Sequence, residues 1–390
     1  MSTTGIIVEF NPFHNGHKSH IVETQKLTGC KNIIAVMSGN FVQRGEPAIC
    51  NKWHRTKMAL QNGVDVVIEI PVPYVISGAD YFARASVQLL EATGVVDALS
   101  FGSESGNLAE IKQAAEILFN EPASYKETLQ NGLSEGLSFA AARGTALKVC
   151  MPHATEELFT KPNNCLAMEY VKALSQFNST MEVLTTHRAA GGPSATAARR
   201  QLIKRENVSA FAPKNVQDIL DGIETFATLD DFSDILKYQL YTNEKGVAAL
   251  EEGLGNRLRK MCGEYIRITD LLDAAKTKRY TYTRLQRAAL GLILGVSTGD
   301  MAEYDNAGGA QYIRILGFRR DAAALIGEIT KKASLPVITT GRDIDRILNS
   351  GGLPAKMLKT ELTAGDIYRI ASEESGEVSS ERRYGVMVTK

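Results

Sequence analysis

Apolar and polar positions along the first two hundred residues fall into two alternating rhythms. Short runs dense in Val, Ile and Leu predict strands at 5–10, 32–38, 64–70, 98–102 and 181–186, each followed by Gly, Pro, Asn or Ser. Between them, apolar residues recur at helical spacing. The segments 52–61 and 80–92 are followed by Gly63 and Gly94, residues suited to closing a helix. This alternation predicts an α/β fold, a doubly wound parallel sheet with helices on both faces. After about residue 206 the rhythm turns helical, with helices expected at 216–226, 230–241, 256–262, 265–275, 284–291 and 310–316 and one short strand at 336–340. The change predicts two units, 1–205 and a mostly α-helical 206–390. The acidic, Ser-rich stretch 372–380 reads as a loop or tail. Ligands of open parallel sheets bind beyond the carboxyl ends of the strands, so the residues after each strand are where chemistry is sought.

Composition narrows the classes. A chain of 390 residues with 44% hydrophobic content can fill a core, and its formal net charge is zero. That balance excludes an indiscriminately basic nucleic-acid binder but permits a local basic face. No apolar run is long enough to span a bilayer and no signal-peptide pattern opens the chain, so a cytoplasmic protein without membrane contact is expected. No obligate protein partner is evident. The five cysteines, Cys30, Cys50, Cys150, Cys165 and Cys262, form no CxxC pair and read as free thiols. All six histidines lie in the first half of the chain.

Three of those histidines follow the first strand, in Asn11-Pro12-Phe13-His14-Asn15-Gly16-His17 and at His20. Pro12 ends the strand, and Gly16 lets the backbone approach a ligand closely. The helix that follows offers unpaired N–H groups and a positive dipole end to a phosphate. His14 and His17, three residues apart, face one side of its first turn and would stabilise charge developing on phosphorus. A metal row at 14, 17 and 20 is the weaker alternative: no Cys or carboxylate stands at ligand spacing, and no metal ligand is assigned. A structural pair of capping histidines is the other alternative.

The HxGH signature resembles that of the adenylyltransferases and class I aminoacyl-tRNA synthetases. The longer run from Gly5 to His17 resembles the bacterial tRNA(Met) cytidine acetate ligase family within the HxGH nucleotidyltransferase superfamily. So do the segments 37–47, Lys52-Trp53, 101–104, 161–164, 277–287 and 315–318, so the likeness spans nearly the whole chain. The resemblance implies a nucleotidyltransferase (HUP-like) fold. It also implies an ATP-dependent ligase in which acetate attacks the α-phosphate of ATP, giving acetyl-adenylate and pyrophosphate. The acetyl group then passes to the exocyclic amine of the wobble cytidine in the anticodon region of elongator tRNA(Met). Magnesium is inferred from the ATP chemistry alone.

Carried over from the family, the nucleotide contacts fall on Ile7, Val8, Glu9, Phe10, Asn11, Pro12, Phe13, His14, Asn15, Gly16, His17, Lys18, Ser19 and His20, then on Gly102, Asn163 and Arg188. Taken alone, Gly102 is better read as a turn glycine, Asn163 has a plain N-cap as its alternative, and Arg188 is equally a surface cation. Ser194, Thr196 and Arg199 resemble the superfamily's second phosphate signature, with a plain N-cap at Ser194 as the alternative. Only 189–193 separate Arg188 from Ser194, a shorter loop than in the relatives, which leaves open how a lid closes over ATP. The loop 37–47, with Ser38, Asn40, Gln43 and Arg44, either lines an acyl or base pocket or satisfies its own polar groups. Trp53 is a packing anchor or a stacking surface.

Two basic clusters interrupt the neutral chain. Residues 186–205 carry Arg188, Arg199, Arg200, Lys204 and Arg205 with no acid, and 257–287 carry nine basic residues against three acidic. Arg200, Lys276, Lys278, Arg279, Tyr280, Arg284 and Arg287 are the candidate tRNA contacts, since cations suit phosphates and aromatics suit unstacked bases. Solvated helix faces are the competing explanation. Two other functions remain open: a small-molecule adenylyltransferase, and an RNA-binding protein on a degenerate scaffold.

Overall fold

The computed structural model describes residues 2–188, 195–250, 253–278, 280–372 and 381–390. Strand β1 (Thr3–Val8) leads into helix α1 (Asn15–Thr28) and strand β2 (Asn32–Ser38). A two-stranded hairpin, β3 (Phe41–Val42) and β4 (Glu46–Pro47), precedes helix α2 (Lys52–Leu60) and strand β5 (Val66–Ile70). Strands β6 (Ala98–Ser103) and β7 (Glu182–His187) follow, then β8 (Ile313–Arg319), β9 (Val337–Ile338) and β10 (Met387–Thr389). The sheet runs in the order β10-β8-β5-β2-β1-β6-β7, with β9 also paired to β8. Every pairing in it is parallel except β5 with β8.

Strand β2 shows why its sequence is apolar at nearly every position. Ile34 and Val36 join one core with Phe82, Val87 and Leu90 of the helix Ala79–Ala92, while Ile33, Ala35 and Met37 join the opposite core with Ile21, Met58 and Val216. A strand buried on both faces cannot alternate, which is the signature of a sheet wound with helices on both sides. A third core, built on Phe232, Leu236, Leu258, Leu272, Leu285 and Ala289, fills the helical region. Phe41 of the hairpin enters that core, 5.7 Å from Phe232 and 6.0 Å from Tyr368 between ring centroids.

One element is corrected. Residues 310–316, expected as helix, instead lead into strand β8, which pairs antiparallel with β5. Ile313 and Ile315 face one core and Leu316 the other, so a short run that is apolar on both faces mimics helical spacing. The sheet therefore draws strands from both sides of residue 206. Some differences are at boundaries: 216–226 is helical only over Lys214–Asp221, 265–275 only over Ile268–Ala275, while 284–291 extends to Tyr282–Leu294. The helices Thr298–Asn306, Ala323–Lys332, Gly341–Ser350 and Gly352–Ala371 and strand β10 are additional to the expected elements. Of the acidic stretch, residues 373–380 lie outside the described residues, and Glu381 is buried on the far side of them.

A buried ionic network joins the early and late parts of the chain. Lys52 Nζ lies 2.6 Å from Glu69, 2.5 Å from Glu381 and 3.7 Å from Glu361. Arg314 bonds Glu69 at 2.9 Å and Glu381 at 3.1 Å. Burial and then the facing Glu69 carboxylate push the Glu361 carboxyl far above its ordinary range, so it keeps its proton. Two cations then face two carboxylates, and the cluster is neutral as a whole. Trp53 stacks on Tyr384 beside it, 4.9 Å apart and 19° from parallel, which makes it a packing anchor.

Candidate active site

Strand order reverses between β1 and β6, and the residues that follow β1 and β6, with Arg188 just after β7, lie at the carboxyl edge there. Helix α1 is fixed over this crevice by Thr24 Oγ1 against Ser100 Oγ at 2.8 Å, both buried, and by His20 Nδ1 against Thr186 Oγ1 at 2.8 Å. The Asn11–Pro12 peptide is cis, and His14 takes extended geometry as the N-cap of α1. His14 and His17 stack with ring centroids 3.6 Å apart and planes 20° from parallel. Phe10 and Phe13 pack against His17 at 4.9 and 5.6 Å.

The His14 N–H donates to His17 Nδ1 at 3.2 Å. A ring nitrogen that accepts cannot carry the proton of a neutral imidazole, so His17 presents Nε2–H as its donor. Burial, then His14 and Arg188, hold the His17 imidazole far below its ordinary value. Burial and Arg188 likewise lower His14 and His20, each to about 4. All three are neutral donors at pH 7. The amides of the first turn are less available than the sequence implied, because Asn15 N–H donates to Phe211 O at 2.7 Å and His17 N–H to His14 O at 2.9 Å.

Gly102, Asn163 and Arg188 come together beyond β6 and β7. Arg188 Nη1 donates to Asn163 Oδ1 at 3.2 Å, and a Cβ at Gly102 would lie 3.2 Å from the Arg188 Cγ and Cδ. Gly102 is thus where the Arg188 stem crosses the strand. Asn163 is anchored by Glu104, whose Oε1 accepts from Asn163 Nδ2 at 2.6 Å and whose Oε2 accepts from Asn164 N–H at 2.9 Å. Sequence reasoning passed over Glu104, although its place directly after a strand end was the available signal.

On the other flank, Arg199 of the helix Ala195–Ile203 donates from Nη1 to Asn11 O at 3.0 Å, and its Nη2 lies 3.5 Å from Thr196 Oγ1. Ser194 and Arg279 lie outside the described residues, as does the loop 189–193. Arg55 was also missed, and nothing in its sequence context marks it. Fully buried, it donates to the carbonyls of Glu9 (2.5 Å), Ser38 (3.1 Å), Cys50 (3.2 Å) and Gly39, bracing the loops after β1 and β2. Within the loop 37–47, Asn40 Oδ1 accepts from Lys52 N–H and the Gln43 backbone N–H donates to Glu9 Oε1, so these groups are tied to neighbouring elements and not to one another.

Of the basic candidates, Arg200, Lys276 and Lys278 are exposed. Arg284 lies over the Tyr280 ring at 5.4 Å. Arg287 is half-buried, packed against Gly45 of the hairpin instead of standing clear in solvent. Among the described residues, no group of three or more His, Cys, Asp and Glu side chains is arranged to hold a metal ion.

The family described as HIGH Nucleotidyl Transferase matches residues 1–383. Among curated proteins, tRNA(Met) cytidine acetate ligase of Thermoanaerobacter sp. (strain X514) is 38% identical over 394 residues, covering 96% of each chain. The chain belongs to the tRNA(Met) cytidine acetate ligase family. The ligase of Acetivibrio thermocellus is 36% identical over 94% of each chain. A crystal structure of Thermotoga maritima TmcAL bound with alpha-thio ATP superposes over 100% of both chains at a TM-score of 0.91 and 31% identity. An apo form of that protein gives 0.92 at 30% identity.

Membership of this ligase family bears on the histidines. An anion placed against the three neutral imidazoles would raise their pKa values, so nucleotide binding below pH 7 should take up protons. Calorimetry in buffers of differing ionisation enthalpy measures this. Uptake growing as pH falls from 8 to 6 is expected, and a binding enthalpy independent of buffer would refute it. The sign for the free chain is opposite. Folded pKa values near 4 lie below the unfolded 6.5, so stability present above pH 6.5 is lost as pH falls toward 4, at up to about 1.4 kcal/mol per pH unit for each imidazole.

Proposed function

We propose that this chain is an ATP-dependent ligase that activates acetate as acetyl-adenylate and acetylates the exocyclic amine of the wobble cytidine of elongator tRNA(Met). The observation that carries the reading is the stacked His14–His17 pair. Its neutral imidazoles sit in the turn after β1, next to the reversal of strand order, with Arg199 bonded to Asn11 of the same motif and Arg188 bonded to Asn163. ATP lies along residues 7–20, with Gly102, Asn163 and Arg188 on the nucleoside side and Thr196, Arg199 and Ser194 on the leaving pyrophosphate. An acetate oxygen attacks the α-phosphorus and pyrophosphate departs. The imidazole N–H groups bear the charge that builds on the phosphoryl oxygens. The cytidine amine then attacks the acetyl carbonyl, AMP leaves, and the amine loses a proton.

Magnesium would accompany the nucleotide substrate and offset charge on its phosphates. Residues 1–205 carry the chemistry, with β8, β9 and β10 completing their sheet. The helical region around Lys276–Arg287, with Arg200, receives the anticodon stem and loop. No helix among the described residues is long and apolar enough to cross a membrane, and we place the reaction in the cytoplasm, where ATP and tRNA are supplied.

Exchange of labelled pyrophosphate into ATP with a panel of carboxylates, with and without tRNA, tests the reading. Exchange that requires acetate, followed by acetyl transfer to tRNA, is expected. AMP transfer to a small metabolite, or tRNA binding with no exchange, would replace it with one of the two alternatives.

A further inference from the structure

Between the proposed phosphate-facing and RNA-facing parts of the molecule stands the β3–β4 hairpin, and Gln43, Gly45 and Glu46 of its tip each touch one side or the other. Gln43 N–H donates to Glu9 Oε1 at 2.7 Å, at the end of β1. Gly45 has φ +83°, and a Cβ there would lie 2.6 Å from Arg287 N and 2.8 Å from Gln286 Cβ, so the tip is seated directly on the helix Tyr282–Leu294. Glu46 spans the gap. Its Oε1 accepts from Gln286 Nε2 at 3.1 Å, and its Oε2 lies 3.8 Å from Arg199 Nη2. Gln286 is 3% exposed, and its helix begins just after the exposed Lys276 and Lys278, with Arg284 of its first turn lying over the Tyr280 ring.

We infer that the hairpin couples tRNA binding to ATP binding, with Glu46 as the positioning residue that sets Arg199. The inference rests on the proposed roles of Arg199 at the phosphates and of residues 276–287 at the tRNA. One carboxylate divides its two oxygens between a side chain of the RNA-facing helix and the guanidinium of the phosphate signature. A shift of that helix against RNA alters the pull of Glu46 on Arg199. The Gly45 seat leaves the tip no slack in which to absorb the movement. Linkage makes the effect reciprocal: whatever factor tRNA applies to nucleotide affinity, the nucleotide applies to tRNA affinity.

The test is equilibrium binding of alpha-thio ATP to the full chain, with and without a saturating tRNA(Met) transcript. Wild type should show at least about a fivefold change in nucleotide Kd on adding tRNA, the lower end of usual allosteric coupling. Glu46→Gln keeps the shape and removes the charge, and should reduce the factor below about twofold. Gln286→Ala should do the same, and the double variant should add nothing further, as residues acting through one contact do. A purely structural role would shift both affinities of Glu46→Gln while leaving their ratio intact, and that result overturns the inference. So does a wild-type ratio of one. Acetate-dependent pyrophosphate exchange, run in parallel, separates the two failures: exchange without coupling sinks this inference alone, whereas absent exchange sinks the proposed function.

Discussion

His17→Ala is expected to lower acetate-dependent pyrophosphate exchange by about 10²–10³-fold, the usual effect of deleting one preorganised donor to a transition-state oxyanion. The geometry specifies why. His17 Nδ1 is committed to the His14 N–H, which leaves Nε2–H as a fixed donor in a dry site. Stacking on His14 and the contacts with Phe10 and Phe13 hold the ring, so no reorganisation is needed when charge develops. The loss should fall mainly on kcat, because a neutral donor binds the ground-state phosphate less strongly than the transition state. The fold should survive, since the deletion removes one cap-like bond worth about 1 kcal/mol. Circular dichroism and single-turnover adenylate formation check the two halves. Exchange within fivefold of wild type would remove His17 from the chemistry.

This part of the site was legible in the sequence because its information is local. A strand, a proline, a glycine and two histidines within about a dozen residues define both the turn and the chemistry. Asn163 and Arg188 were reached only through family likeness, since what gives them meaning is their meeting across Gly102, a contact between segments far apart in the chain. Glu46 and Arg55 left no mark for the same reason. Their partners are backbone carbonyls and side chains supplied by other elements. The fold was similarly readable where burial has one period. It failed at 310–316, where Ile313, Ile315 and Leu316 are buried on opposite faces and Arg314, a charged residue, is buried near the start of a strand. An arginine there reads as an exposed helix position until Glu69 and Glu381 are placed beside it.

That arginine leads to the second large effect. Glu69→Ala should destabilise the folded chain by about 3–5 kcal/mol, the range found when one partner of a buried ion pair is removed. Glu69 is 1% exposed and bonds both Lys52 and Arg314, which are themselves 0% and 2% exposed. Without it, two buried cations share Glu381 and a Glu361 whose proton must now be given up. Replacing Glu361 by Gln should cost far less, because that carboxyl is already neutral and its Oε2 acceptor for Val72 N–H has an amide equivalent. Denaturant midpoints at unchanged m-value measure both. A loss below about 1 kcal/mol for Glu69→Ala would show the network to be solvated in solution.

The antiparallel pairing of β8 also bears on how the chain is made. The partner that covers the outer edge of β5 is encoded more than two hundred residues downstream. At usual elongation rates of about 5–20 residues per second, the run Val66-Val67-Ile68-Glu69-Ile70 waits roughly 10–50 s on the ribosome with its hydrogen-bonding edge bare and its glutamate without Arg314. Nascent chains of this protein therefore carry a sticky flank for most of their synthesis, and holdase chaperones should crosslink to that segment until translation passes residue 319.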